Sequence, residues 1–255
     1  NKDNRTVAFT FFVDPGRRAY VRRINIAGNT KTRDEVIRRE LRQHEGGWYS
    51  SEKVRRSRIR LQRLGFFDDV TVETPAVPGQ PDQVDVNVTV KERPTGSLLF
   101  GVGYSDEEGV LLQASVSQRN LFGTGKELHV NVDNSVVTDV YNIRYVNPYA
   151  TINGISRGVQ LFSSKIDAEE ANTAEFIVET LGTAVTYKIP VSEYNSVNIG
   201  LGYEKIDLEQ TLNTPPEIAE FITETPSSDL IKTTINWARD TRDSFLFPTS
   251  GSLNQ

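Results

Sequence analysis

The chain has 255 residues, 37 % of them hydrophobic and 25 % charged, with no Cys, no Met and two His. The absence of Cys excludes disulfides and thiolate sites, and with only His44 and His129 a histidine-rich metal centre is excluded too; no cofactor is expected. No run approaches the roughly 18 apolar residues of a membrane-spanning helix, while 12 Phe, 9 Tyr and 2 Trp argue against disorder. A β-barrel remains open, since its strands are apolar on one face only and cross in about ten residues.

The net charge of −5 conceals a split. Residues 1–95 carry 19 Lys and Arg against 13 Asp and Glu, or 19 − 13 = +6; residues 96–255 carry 10 against 21, or 10 − 21 = −11. Such asymmetry points to two domains in different surroundings. A chain that starts at Asn1 without Met or a leader segment is expected to be a processed or excised piece.

Residues 7–13 (VAFTFFV) read as a strand ended by Asp14-Pro15-Gly16, the last strand of a preceding domain. Residues 20–26 alternate as a strand, with Tyr20, Arg22, Ile24 and Ile26 against Val21, Arg23 and Asn25. Thr32 and Glu35 fit a capping box for a helix with Val36, Ile37 and Leu41 on one side, stopped by Gly46-Gly47. Ser50 or Ser51 caps a second helix carrying Val54, Leu61 and Leu64, with Gly65 as its stop. A strand through Val70 and Val72, a Pro- and Gly-rich link, and an alternating strand with Val84, Val86, Val88 and Val90 complete a β-α-α-β-β order, a compact α+β module.

After Pro94, period-two strands follow one another to the end. Their apolar faces include Leu98, Phe100, Val102 and Tyr104 in the first, and Val110 to Val116, Leu128 to Val132 and Tyr141 to Tyr145 in the next. Leu181 to Ile189, Val197 to Tyr203 and Ile231 to Trp237 continue the pattern. About eight strands are expected, with a ninth beginning near residue 255. Compact connections at 120–125, 147–154, 189–195 and 240–251 alternate with polar ones at 105–108, 134–137, 163–174 and 207–229. Short turns on one side and longer loops on the other are the habit of outer-membrane barrels. A soluble sandwich or lipocalin-like barrel would alternate too, but here the polar face carries charged or amide groups in many successive strands.

Residues 25–29 (NIAGN), 38–48 (RRELRQHEGGW), 63–67 (RLGFF) and 90–96 (VKERPTG) together resemble a POTRA domain of BamA-type outer-membrane assembly factors. Residues 100–104 (FGVGY), 118–125 (QRNLFGTG), 146–149 (VNPY), 191–196 (VSEYNS) and 240–251 (DTRDSFLFPTSG) resemble the start of that family's barrel. The resemblance implies three parts. Residues 1–16 would end a preceding POTRA domain, residues 17–93 form the membrane-proximal one, and residues 96–255 form the first half of an antiparallel transmembrane β-barrel.

It also implies ATP-independent folding and insertion of β-barrel clients into the bacterial outer membrane, with the POTRA module in the periplasm. The implied partners are lipoprotein subunits of an assembly complex, unfolded barrel clients and outer-membrane lipid. A two-partner-secretion-type translocation pore or a TamA-like insertase of the same superfamily stands as the alternative; a passive porin is disfavoured by the attached module.

Two candidate sites follow. The first barrel strand, Ser97, Leu98, Leu99, Phe100, Gly101, Val102, Gly103 and Tyr104, has a glycine-weakened centre that would let the barrel open sideways and pair an incoming client strand. Those glycines could equally serve only to give space in the lumen, since Gly200 and Gly202 recur in a later strand. Glu45, with Arg42 and Gln43, resembles the family position that contacts a lipoprotein partner; an ordinary solvated turn would look the same. Arg38, Arg39, Arg42, Arg55, Arg56, Arg58, Arg60 and Arg63 make both helices basic, read as solvated faces or as docking surfaces for acidic partners or anionic head groups. The strand at residues 83–91 alternates and, were it at a sheet edge, could bind unfolded client strands by augmentation; the sequence does not tell which strand is the edge. Asp240, Arg242 and Asp243 form a polar cluster at the turn-side rim. No catalytic constellation is present, no enzyme activity is expected, and an acidic chain without a recognition motif points away from nucleic acid.

Overall fold

The computed structural model describes residues 18–106, 108–170, 175–242 and 248–255. The strand expected at residues 7–13, the domain end assigned to residues 1–16, and Asp243 lie outside the described residues.

The first module comprises β1 (Tyr20–Ala27), α1 (Asp34–Arg38), α2 (Ser51–Arg63), β2 (Phe67–Glu73), the two-residue β3 (Ala76–Val77) and β4 (Gln80–Glu92). Its sheet runs β1-β4-β2, with β1 parallel and β2 antiparallel to β4. β4 is the central strand, so the edge that would serve client augmentation is not its own. Its alternation is that of a strand with one face on the helices: Val86, Val88 and Val90 are buried, and both neighbours hydrogen-bond to it.

The alternation expected in β1 is also broken. A register shift between Val21 and Arg23 turns both Val21 and Ile24 into the core, as a β-bulge does by adding one residue to one strand. The core joins these two to Val36, Ile37 and Leu41, to Leu61 of α2, and to Phe66, Phe67 and Val70.

Ser50 caps α2 by accepting the N–H of Lys53. The capping box at α1 does not form. Arg33 is the N-cap residue and offers no side-chain bond; Thr32 lies one residue before it, and its hydroxyl accepts from the Asn120 amide of the second module at 2.8 Å. The first helix is therefore a short turn, held by burial of Val36 and Ile37 and by Asp34 and Glu35 at its positive end.

The second module is a nine-stranded meander: β5 (Gly96–Ser105), β6 (Gly109–Leu121), β7 (Lys126–Asn134), β8 (Thr138–Asn147), β9 (Ser156–Asp167), β10 (Phe176–Pro190), β11 (Asn195–Gln210), β12 (Ser227–Asp240) and β13 (Leu253–Asn254). Every neighbouring pair is antiparallel. The register lines up Leu98, Val116, Val130, Ile143, Leu161, Thr183, Tyr203 and Ile231 in one cross-strand row. The other face carries Ser117, His129, Arg144 and Gln160 in a matching row, with a Lys232–Glu204 ion pair beyond.

Leu98 is 78 % and Ile231 76 % exposed. A continuous apolar wall of this extent has water as the wrong solvent and suits a barrel facing lipid. The described helices are all too short or too polar to cross a membrane. One element escaped the sequence reading: α3 (Pro216–Glu224) lies inside the long β11–β12 connection and buries Ile222.

Leu61 is fully buried between α2 and the sheet. Leu61→Ala should destabilise the first module by about 2–5 kcal/mol, measured by denaturant unfolding followed through Trp48 fluorescence in a Trp237→Phe background.

Candidate functional site

The strand β5 pairs on one side only. Ten residues from Gly96 to Ser105 are in register with β6, and its other edge has no strand partner among the described residues. Leu98, Phe100, Val102 and Tyr104 point to the apolar side, and Leu99, Gly101 and Gly103 to the polar side.

The glycines of the sheet fall into two kinds. A Cβ at Gly158, Gly182 or Gly200 would lie 2.5 Å from Thr186, 2.3 Å from Phe162 or 2.4 Å from Thr234, so these glycines make room for a neighbour. At Gly101, Gly103 and, in β11, Gly202 the nearest atoms would be at 3.6 Å, 3.5 Å and 3.6 Å, an ordinary contact. Packing does not require glycine there, and what remains is its weakening of strand pairing.

The three residues expected to dock a lipoprotein have separate fates. The Glu45 carboxylate accepts the Ile24 N–H of β1 at 2.8 Å and lies 3.7 Å from Arg38, with about half its side chain exposed. Gln43 is 2 % exposed. Its amide donates to the carbonyls of Trp48 and His44 and accepts from the Ser50 N–H, so it shapes the turn from within and is no contact surface. Arg42 is engaged with Glu193 of the β10–β11 turn.

That engagement belongs to a larger interface. The arginines read as solvated faces are in large part seated against the second module. Arg42, Arg56 and Arg60 surround Glu193. Arg56 stacks over the Tyr194 ring at 4.3 Å and Arg39 over the Tyr149 ring at 4.2 Å, both distances suited to cation–π attraction. Arg60 bridges buried Glu40 at 2.6 Å and the Tyr149 hydroxyl at 3.3 Å. Arg63 donates to the Arg242 carbonyl at 2.7 Å, and Arg242 pairs with Asp240 at 2.9 Å. Burial opposes ionisation of Glu193, but the Arg42 hydrogen bond and the three positive charges hold its carboxyl below the usual carboxylate range.

A second contact zone lies beside the connecting segment and is neutral. Asn120 reaches the Thr32 hydroxyl, and the Arg33 N–H donates to the Gly123 carbonyl at 2.9 Å. Gly123 has φ +72°, and a Cβ there would lie 1.9 Å from the Lys31 carbonyl oxygen, so only glycine permits this approach. Next to it, Glu92 accepts from the Thr30 hydroxyl and from the Lys31 and Thr32 N–H groups. Burial works to raise the Glu92 pKa, yet those hydrogen bonds outweigh it and bring it to about 2.

Glu193, Tyr149, Tyr194, Asn120 and Gly123 were not singled out from the sequence. Their signal was the opposite charge of the two halves, together with aromatic-bearing turns facing a basic helix pair.

Two family models match the chain: the Omp85 superfamily domain over residues 120–255, and a POTRA repeat, described as a surface antigen variable number repeat, over residues 19–93. The chain belongs to the Omp85 superfamily. It is 38 % identical over 99 % of its length to an outer membrane protein assembly factor BamA from Neisseria meningitidis. It is 30 % identical over 98 % of its length to a BamA from Nitratidesulfovibrio vulgaris. It spans about a third of the length of these curated relatives.

Among solved structures, BamA from Haemophilus ducreyi lacking POTRA domains 1–3 superposes with TM-score 0.67 at 32 % identity, covering 94 % of this chain and 48 % of that one. CdiB from Escherichia coli shares the Omp85 fold at TM-score 0.55 and 14 % identity, over 89 % of this chain and 42 % of that one. The α+β module with its antiparallel barrel sheet is thus the POTRA-plus-barrel arrangement of Omp85 proteins.

Glu193 titrates below its ordinary value in the docked state, so its ionic contacts are fully present above about pH 4.5 and are lost as pH falls through the lowered value. Glu193→Gln should remove that acid dependence and speed proteolysis in the β10–β11 turn around residues 191–195 several-fold. Limited proteolysis between pH 3 and 7 checks both.

Proposed function

We propose that the parent protein inserts β-barrel proteins into the bacterial outer membrane, and that the segment described above supplies its client-pairing strand and the POTRA module beside it. The observation that carries this reading is the make-up of β5, the first strand of the barrel sheet, whose outer edge the closing strand of the full barrel would meet. Its centre is occupied by two glycines that packing does not demand.

In hydrocarbon an unpaired backbone row is costly, so such an edge favours any strand that arrives in antiparallel register. Strand addition then gives affinity through main-chain bonds. Weak pairing at Gly101 and Gly103 lowers the cost of parting this edge from whatever closes it and admitting a client. The process makes and breaks hydrogen bonds only, needs no covalent chemistry, and is not enzymatic.

The POTRA module lies on the turn side of the sheet, the periplasmic side in this reading. Glu45, on the half-exposed turn, is the contact offered to a lipoprotein subunit. The apolar wall faces outer-membrane lipid. A secretion pore of the same superfamily would pass its substrate along the polar face instead, past Asn131 and Asn198.

Single cysteines at Leu98, Leu99 and Phe100 in the full-length parent, freed of other Cys, should form disulfides with the last strand of a stalled client in a two-residue register. Crosslinks from Asn131 or Asn198 with none at β5 would instead indicate translocation through the lumen. Gly101→Ala with Gly103→Ala, whose Cβ atoms the structure has room for, should slow client insertion into vesicles; an unchanged rate would leave these glycines without a role in opening. Glu45→Lys should reduce lipoprotein co-purification. Glu45→Gln keeps an acceptor for the Ile24 N–H, and so separates loss of charge from loss of the edge contact.

A further inference from the structure

On the apolar face of the sheet, β8 to β12 carry three successive cross-strand rows that change character abruptly. The first joins Ile143, Leu161, Thr183, Tyr203 and Ile231. The next, towards the loops, joins Tyr141, Ser163, Leu181, Lys205 and Asp229. The third is Asp139, Lys165, Glu179 and Asp207. Apolar wall thus gives way to charge within about 13 Å along the strands. Tyr141 and Tyr203 stand at that limit, as the aromatic girdle of a barrel does where hydrocarbon meets head groups, and the Tyr203 hydroxyl donates to Asp229 at 2.7 Å.

A groove of about 460 Å³ opens across the first two rows. Ser163 and Thr183 are its small members and form the floor; the half-exposed Tyr141, Leu161, Leu181 and Tyr203 form the walls. A second pocket of about 340 Å³ continues it towards the loops, sharing Tyr141, Ser163 and Leu181 and adding the four charged residues of the third row. The combined site is long, apolar at one end and charged at the other, which is the form of an amphiphile. Its charges have a definite arrangement. Lys165 pairs with Glu179 at 2.8 Å, and an ammonium with three donors keeps a proton for a further acceptor. Asp139 lies across the ladder from Lys165. It accepts from the Asn134 amide with one oxygen and has no ion pair among the described residues. An anion acceptor and a cation acceptor therefore sit on neighbouring strands, about 4.8 Å apart. The phosphate and the primary amine of a phosphoethanolamine head group are two carbons apart and span about that distance. A purely anionic head group fits less well, since Asp139, Glu179, Asp207 and Asp229 outnumber Lys165 and Lys205 and like charges repel.

We propose that this site holds one membrane phospholipid with a phosphoethanolamine head group: an acyl chain in the groove, the phosphate on Lys165 and the amine on Asp139. The proposal rests on the reading of the apolar wall as lipid-facing and is independent of strand pairing at β5. Contacts along an acyl chain do not tell one lipid from another, whereas the Lys165 and Asp139 pair selects the head group. The concavity over Ser163 and Thr183 fixes where along the wall that lipid sits.

The test titrates the full-length parent, in nonionic detergent, with phosphatidylethanolamine or with phosphatidylglycerol of the same chains, and counts bound lipid by native mass spectrometry. One phosphatidylethanolamine should be retained per protein, about tenfold more tightly than phosphatidylglycerol, the scale of one charge-assisted hydrogen bond. Asp139→Asn should remove that preference, and Ser163→Phe, which fills the groove, should weaken the binding of both lipids. Equal retention of the two lipids by the unaltered protein overturns the head-group site. A preference that persists in Asp139→Asn, or retention untouched by Ser163→Phe, overturns its location. A cysteine at Leu161 of the parent in vesicles reports the lipid-facing wall separately. It should be protected from a water-soluble maleimide; ready labelling overturns that reading, and the site with it. The comparison of the two lipids needs no altered protein, so it decides even if a variant does not fold.

Discussion

A β-ladder satisfies its backbone only between neighbours, and in lipid there is no water to satisfy the remainder. Among the described residues every strand from β6 to β12 has a neighbour on both sides, while β5 and β13 end the sheet. Closing a barrel in lipid requires partners for both of those edges. The apolar face fixes the sheet in the membrane, the polar face leaves the lumen wet, and the POTRA module is anchored beside the strand that begins the sheet. Weak pairing at Gly101 and Gly103 matters because it acts on the first strand of the sheet, one of the two that barrel closure must bring together.

The barrel was legible because its signal is purely periodic. With a side-chain repeat of two, Leu98 to Tyr104, Leu181 to Ile189 and Val197 to Tyr203 declare their faces residue by residue, and the register places all of them on one wall. The helix in the β11–β12 connection was missed because PEIAEFITE is short and lies among Pro and Thr residues that read as loop. Strands β11 and β12 also run beyond their apolar stretches to Gln210 and Ser227, since pairing continues where the side chains have become polar.

The POTRA module was legible in its order of elements and not in its details. The bulge in β1 has no marker in YVRRINIA, and it alone decides that Val21 and Ile24 share a face. The Thr32–Glu35 spacing has the form of a capping box, but the helix starts one residue later, with Arg33 as N-cap, and the Thr32 hydroxyl instead receives the Asn120 amide from 88 residues away. The arginines of α2 looked like a solvated face because no local pattern distinguishes an arginine in water from one facing a carboxylate 130 residues further on. Only the tertiary contact brings Glu193 to Arg42, Arg56 and Arg60.

The two contact zones between module and barrel differ in kind, and this difference decides how they fail. The zone beside residues 93–96 consists of backbone and amide hydrogen bonds with a glycine at closest approach, indifferent to acid and little affected by salt. The distant zone is made of guanidinium groups on one carboxylate and two aromatic rings, and its attraction falls as charges are screened or neutralised. Whatever weakens the module's hold therefore releases the far side first while the near side stays bound. The order of failure is thus written into the contacts: Tyr149 and Tyr194 are exposed first, and Asn120 and Gly123 remain the point of attachment.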